Sequence, residues 1–241
     1  MAGVSWQVIT LIGLTATVGA YVQAVIGLGI GLVTAPVVAL LDPSLVPVLP
    51  LWLALLIAGL NLADEHEHVD WRSTAWTVPA RVPGTFVGAW LVASFTEQQI
   101  GLVLALMVLV AVVLTVHTVT VPLNPGSLAT AGFLAGATGT ATSIGGPPMA
   151  LLYQRERPEV VRATLSVFFF VGVMLSLAGL AISGSLDRTA SLIALALAPT
   201  VLVGYLAGRW SRGSVDGEVF RVAVLVVCTV SALALLIRSV S

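Results

Sequence analysis

Apolar stretches of about 20 residues follow one another from one end of this chain to the other, with only short loops between them. A helix of that length spans the hydrocarbon of a bilayer, whereas an outer-membrane barrel would show short strands of alternating polarity. Hydrophobic residues make up 58% of the 241 and charged residues 9%, against about 25% charged in a soluble domain. The expected fold is an all-α polytopic membrane protein, with residues 1–241 forming a single membrane domain. Eight hydrophobic segments are read, at about 7–41, 46–63, 74–94, 99–120, 128–153, 161–183, 189–208 and 219–238. Met1 to Gln7 hold no basic residue, so a cleaved secretory signal is not expected.

Two of these segments are broken. The first contains Gly27-Leu28-Gly29-Ile30-Gly31, with Pro36 five residues on. The fifth contains Gly139-Thr140-Ala141-Thr142-Ser143-Ile144-Gly145-Gly146-Pro147-Pro148. Gly and Pro interrupt helices, and the backbone groups they free must be satisfied inside the protein at membrane depth. Broken segments at corresponding places in two halves point to a transporter's binding site. For an isolated GxGxG, close helix packing through small residues is the plainer reading. A nucleotide-binding loop is excluded because no strand precedes the motif. Residues 7–41 are too long for one straight span and imply a span plus a re-entrant or interfacial piece, or two half-helices. A half-helix beginning at Pro147 would turn its orphan N–H groups and positive dipole end toward a cavity, a geometry that suits an anion. Thr138, Thr140, Thr142 and Ser143 place hydroxyls beside it.

The halves read as two four-segment repeats, 7–120 and 128–238, each opening with a broken helix. Pro36 to Leu41 resembles Pro147 to Leu152, and Pro83 to Gly88 resembles Pro199 to Gly204. Four segments per half imply repeats of like orientation; inverted repeats require that the broken segments not cross fully. Arginines cluster in one loop at Arg155, Arg157 and Arg162 and in another at Arg209, Arg212 and Arg221, which the positive-inside rule makes cytoplasmic. Counting spans from there puts loops 121–127 and 184–188, the acidic loop Asp64 to Asp70 and both termini outside, with Arg238 opposing.

The polar residues narrow the chemistry. All eleven Asp and Glu lie in loops or near segment ends. The absence of a mid-span carboxylate argues against a cation pump or metal transporter and suits an anionic substrate. All ten basic residues are Arg, which excludes lysine Schiff-base chemistry. The single cysteine, Cys228, permits no internal disulfide. His66-Glu67-His68 reads as a solvated loop rather than a metal site, and His117 as interfacial or hydrogen-bonded. Arg81 and Arg162 either supply charge to a cavity or snorkel to an interface. Gln23 and Asn61 either bond between helices or touch substrate. The candidate binding set is therefore Gln23, Gly27, Gly29, Gly31, Asn61 and Arg81 from the first half. Thr142, Ser143, Gly145, Gly146, Pro147, Pro148 and Arg162 complete it from the second. No cofactor, metal or nucleic acid is expected; the partners are a small anion and the lipid bilayer, with a homodimer left open.

In order and spacing these segments resemble the sulfite exporter TauE/SafE family of bacterial membrane transporters. The resemblance rests on Gln23 to Gly31 leading to Pro36, although Ile30 and Leu32 stand where the family's Gly-x-Gly-Gly-Gly pattern would have glycine. His68 to Arg72 followed by Gly84 and Gly88, Gly132 to Tyr153 and Val161 to Leu165 extend it over nearly the whole chain. It implies a duplicated helical permease that moves sulfite, sulfonates, sulfoacetate or related anions across the cytoplasmic membrane. The expected function is a secondary transporter or facilitator that exports a small sulfur-containing anion by alternating access, and not an enzyme. The alternatives are a non-transporting membrane scaffold and an intramembrane serine hydrolase using Ser143 and His117.

Overall fold

The computed structural model describes residues 5–116, 121–153 and 155–212, together with residues 229, 233, 236 and 237. His117, Arg221, Cys228, Arg238 and most of the segment read at 219–238 lie outside the described residues. Every regular element among the described residues is helical: α1 (Trp6–Ile26), α2 (Ile30–Leu41), α3 (Val48–Glu65), α4 (Trp71–Ser94), α5 (Glu97–Val116), α6 (Pro125–Thr142), α7 (Gly146–Leu152), α8 (Pro158–Ile182), α9 (Arg188–Ala196) and α10 (Ala198–Ser211). Three helices, at Trp6–Ile26, Val48–His68 and Pro158–Ile182, are long and apolar enough to cross a membrane; α9 and α10, bent by 47°, make a fourth if taken as one broken span.

α4 is built inside out. It has 24 residues, but Ser73, Thr74, Thr77, Arg81 and Thr85 make one stripe of it polar. Those positions recur three or four residues apart, so they share one helical face, and that face is buried. Trp71, Trp76, Phe86, Val87 and Trp90 face outward instead. The arrangement is that of a helix with lipid outside and a polar interior. Trp71 and Trp90 are 19 residues apart in sequence, about 28 Å along the axis, close to the ~30 Å hydrocarbon thickness that interfacial tryptophans bracket.

The chain's direction through the bundle follows from its contacts. Glu65 at the end of α3 binds Arg162 near the start of α8 and Arg212 just after α10. Arg162 also donates to the carbonyl of Val25 at the end of α1. Asp70, which caps α4, donates its N–H to Thr164 Oγ1 in α8 at 2.9 Å. One face, the arginine face, therefore collects the ends of α1, α3 and α10 and the starts of α4 and α8. α2 runs back along α1, since Ile30 lies against Gly19 and Thr34 donates to the carbonyl of Thr15. α6 runs parallel to α4, since Gly132, Gly136 and Thr140 lie beside Thr77, Arg81 and Gly88 in turn. α7 then folds back on α6, and Leu151, Leu152, Arg155 and Glu156 share a groove with Val121 to Leu123.

Both broken segments are hairpins, each returning to the face it left. This corrects the span count in two places. The acidic loop pairs with the arginines, Asp64 with Arg209 at 2.8 Å and Arg212 at 2.6 Å, so it lies on their face and not opposite. Loop 121–127 lies on that face too. The cause is parity: residues 128–153 count as one crossing by hydropathy, whereas α6 and α7 together make none. The α1–α2 hairpin removes a second crossing, so the start of α1 lies opposite the arginines under either count.

Two seams hold the bundle, α4 on α6 and α1 on α10, and both depend on glycine. A Cβ on Gly84 would lie 2.1 Å from the Phe133 carbonyl oxygen, and one on Gly88 2.5 Å from that of Ala137. A Cβ on Gly204 would lie 2.2 Å from the Thr17 carbonyl oxygen, and one on Gly208 2.8 Å from that of Tyr21. The obstacles are backbone atoms, so the helices themselves would have to part.

Gly84→Ala and Gly204→Ala should each destabilise the protein by about 1–3 kcal/mol, the usual range for overpacking. Gly179→Ala, whose Cβ has ordinary contacts at 3.4 Å, should be near neutral; thermal unfolding in detergent measures all three. Sidedness is checked with single cysteines in a Cys228→Ser background. His66→Cys, Leu123→Cys and Glu156→Cys should react with an impermeant thiol reagent from the same face, and Leu186→Cys from the other.

Candidate functional site

The first hairpin tip is a capping problem solved by side chains from a distance. α1 ends where Gly27 takes a left-handed conformation, φ 96°, and donates its N–H to the Gln23 carbonyl at 2.8 Å. A side chain here would be strained and would also strike the Arg162 backbone, 2.9 Å from an ideal Cβ. Gly29 caps α2 without a side chain of its own, and Gln23 Oε1 takes over, accepting from the Ile30 N–H at 3.1 Å. The last carbonyls of α1 are filled in turn: Gln23 by Asn61 Nδ2 at 3.3 Å, Ala24 by Arg212 Nε at 2.9 Å and Val25 by Arg162 Nη1 at 3.4 Å. Two guanidinium groups thus sit at the negative end of the α1 dipole. Their charge is matched by acids: Arg162 Nε reaches both Glu65 oxygens at 3.0 and 2.9 Å. Arg212 donates to Asp64 at 2.6 Å and to Asn61 Oδ1 at 3.0 Å.

At the second tip α6 ends on Ser143, the only non-glycine residue with positive φ (65°) among the described residues. Its hydroxyl donates to the Pro47 carbonyl at 2.8 Å. Thr142 Oγ1 donates to the Thr138 carbonyl at 2.8 Å and accepts from the Ile144 N–H at 3.3 Å. Both hydroxyls read from sequence as ligands are therefore engaged by backbone in this conformation. Pro147 and Pro148 occupy the first turn of α7, where a missing N–H disturbs nothing. With seven residues, α7 offers less of a dipole than the sequence suggests. Ser143, held by Pro47, is the nucleophile of the hydrolase alternative, and its partner His117 lies outside the described residues.

The two tips meet. A Cβ on Gly31 would lie 2.2 Å from the Ser143 carbonyl oxygen, and Leu28 packs on Gly146. Between them is a small cavity, about 30 Å³, lined by Gln23, Gly29, Gly31, Ser143, Gly145, Gly146 and Arg81, with Leu28, Leu51, Phe169 and Val173 as apolar walls. One water needs about 10–15 Å³ by the same measure.

Arg81 is the charge at this junction. It is 1% exposed, so snorkelling is excluded. No ion pair includes it among the described residues. Nη1 makes one long bond, 3.5 Å, to the Phe168 carbonyl, Nε has no partner, and the guanidinium lies 4.6 Å from the Phe168 ring centroid. An arginine at mid-membrane costs about 2.5–3.5 kcal/mol on insertion scales, and the desolvated cation–π contact with Phe168 returns about 2 kcal/mol or more of it. The slot is cut by glycines: a Cβ on Gly172 would fall 2.0 Å from Arg81 Nε, and one on Gly139 3.3 Å from Nη2.

Of the candidate set, Gln23, Gly29, Gly31, Arg81, Ser143, Gly145 and Gly146 line the cavity. Gly27, Asn61 and Arg162 belong to the charged network at the end of α1. Thr142, Pro147 and Pro148 lie outside the lining, next to the second tip. Sequence reasoning passed over Phe168, Phe169 and Gly172. Gly172 sits within an unbroken apolar run, and nothing local marks it as the place where a guanidinium lies.

Glu65 is the one acid that binds both Arg162 and Arg212, so Glu65→Gln leaves two largely buried charges underpaired. Removing one partner of a buried pair costs about 3–5 kcal/mol. A marked fall in melting temperature in detergent is expected, and Glu67→Gln on the exposed turn beside it should leave stability unchanged.

No curated protein and no solved structure matches the chain. A family model described as Sulfite exporter TauE/SafE matches residues 11–235. With the match running through both hairpins and the Arg81 slot, the chain belongs to the TauE/SafE sulfite exporter family.

Proposed function

We propose that this protein is a secondary transporter or facilitator that exports a small, singly charged, sulfur-containing anion, with Arg81 as its charged ligand. The observation that carries this reading is the guanidinium itself: buried, without a carboxylate, and placed where both hairpin tips meet. Arg81 lies 10 residues from Trp71 and 9 from Trp90, about 15 and 13 Å along α4, hence near mid-membrane. A single positive charge suits a monoanion, and a dianion would remain half neutralised in low dielectric. Gln23, Gly29 and Gly31 on one tip and Ser143, Gly145 and Gly146 on the other frame the anion. Leu51, Phe169 and Val173 suit an organic substituent. At about 30 Å³ the cavity has room for about two waters and not for a sulfonate, so the tips part to admit substrate.

Alternating access rests on an inverted internal repeat, for which the seams give support. Gly84 meets Phe133 and Gly88 meets Ala137 and Thr140; Gly204 meets Thr17 and Gly208 meets Tyr21 and Ala24. A constant shift of 116 relates the partners on α6 to those on α1, and a shift of 120 relates the glycines. In that register Pro79-Gly84-Gly88 answers Pro199-Gly204-Gly208, one helical turn from the match of Pro83 with Pro199 read in the sequence. α1 leaves the far face and α6 the arginine face, which supports an opposed direction for the described parts of the two halves, as rocking-type exchange requires. Arg72, Arg155, Arg157, Arg162, Arg209 and Arg212 share one face and Arg188 lies on the other, which supports a cytoplasmic arginine face and an external start of α1 in the cell membrane.

The test is sulfite and methanesulfonate flux in proteoliposomes. Arg81→Gln should reduce flux about tenfold to a hundredfold, the worth of one charged hydrogen bond, with Arg81→Lys intermediate and both proteins folded. Flux unchanged in Arg81→Gln sinks the proposal.

A further inference from the structure

Beyond the cavity, on the side away from the arginine face, a second set of buried polar groups lines the contact of α4, α6 and α8. Thr85 is one turn beyond Arg81 on α4, Thr140 one residue beyond Gly139 on α6, and Ser176 one turn beyond Gly172 on α8. All three are buried. Ser176 donates its one hydroxyl proton to the Gly172 carbonyl at 2.9 Å, so Thr140 donates to Ser176 Oγ across 2.7 Å. Thr85 Oγ1 has no partner. That is unusual within this chain, because Thr10, Thr17, Thr74, Thr130, Thr138 and Thr142 each donate to the carbonyl four residues back. Thr85 could reach the Arg81 carbonyl in the same way and does not. Its methyl group packs toward Gly179, and Gly136 lies against its backbone N–H.

We infer that Thr85, with Thr140 and Ser176, forms the outer leg of the translocation path, a polar step that takes the anion from Arg81 toward the far face. The inference rests on the transport reading above. The step uses the anion's oxygens as acceptors and the hydroxyl proton of Thr85 as donor, and Thr140, whose proton otherwise goes to Ser176, can rotate its hydroxyl to donate next. The two legs differ in kind. Toward the arginine face the way is closed by Asn61, Arg162, Arg212, Glu65 and Asp64, tied to one another. Toward the far face the groups are neutral hydroxyls, which hold an oxyanion weakly enough to release it. A solute leaves only where binding is weak enough to release it, and a second arginine at position 85 would trap what the first delivers.

The experiment compares Thr85→Val, which keeps the shape, with Thr85→Ser, which keeps the hydroxyl, in the full chain. Thr85→Val should lower sulfite and methanesulfonate flux about tenfold, the value of one hydrogen bond at a barrier, while Thr85→Ser stays near wild type. A packing role gives the reverse order and overturns the inference, as does equal flux in all three proteins. Melting temperature in detergent gives a readout free of substrate: Thr85→Val should raise it, because an unmade buried hydroxyl is removed. An unchanged or lowered value in a folded Thr85→Val overturns the inference. Should Thr85→Val not fold, Ser176→Ala takes its place, with the same flux loss expected and unchanged flux overturning the inference. Absence of flux in the wild type, or flux indifferent to Arg81→Gln, is instead the failure of the transport reading, while the melting comparison still decides whether Thr85 carries an unmade bond.

Discussion

Backbone groups that have no water to turn to govern this structure. A helix that stops inside a bilayer leaves carbonyls and N–H groups unmet, and each must find a partner within the protein. At the first tip the partners arrive from three other helices: Asn61 from α3, Arg162 from α8 and Arg212 from the end of α10, while Gln23 closes the start of α2. The same bonds that cap α1 therefore tie four helices together on one face. Their acids, Asp64 and Glu65, follow as a consequence, since arginines gathered at one helix end need countercharge. At the second tip the need is met by hydroxyls, and few charges gather there.

Much of this was legible in the sequence. Gly27 and the Gly145-Gly146-Pro147-Pro148 run mark their helix ends because glycine and proline act through local backbone geometry, which sequence states directly. Arg81 stands out because a charge in an apolar stretch is visible without a structure. The direction of the chain was not legible. Hydropathy registers that residues 128–153 are apolar and long; whether they cross or turn back depends on Gly145 settling against Gly139 and Ala135. That single turn reversed the side assigned to Asp64 and to loop 121–127.

The hydrogen-bond partners of the candidate side chains were harder to read than their positions. Thr142, Ser143 and Arg162 look like ligands because their chemistry suits an anion, yet each is held by a partner distant in sequence or by its own helix: Ser143 by Pro47, Arg162 by Glu65, Thr142 by Thr138. Conversely, Gly172 carries no chemistry at all and determines where Arg81 can lie. A functional group's availability is a property of its neighbours, and those neighbours are set by packing.

The unpaired guanidinium also has an electrical meaning. An empty cavity leaves one positive charge near the middle of the low-dielectric layer; a cavity holding a monoanion is neutral there. A membrane potential acts on charge, at about 2.3 kcal/mol per elementary charge per 100 mV across the full field. On the proposed transport reading, the loaded and empty forms therefore feel the potential differently, and the form that moves without cargo is the one the field can push.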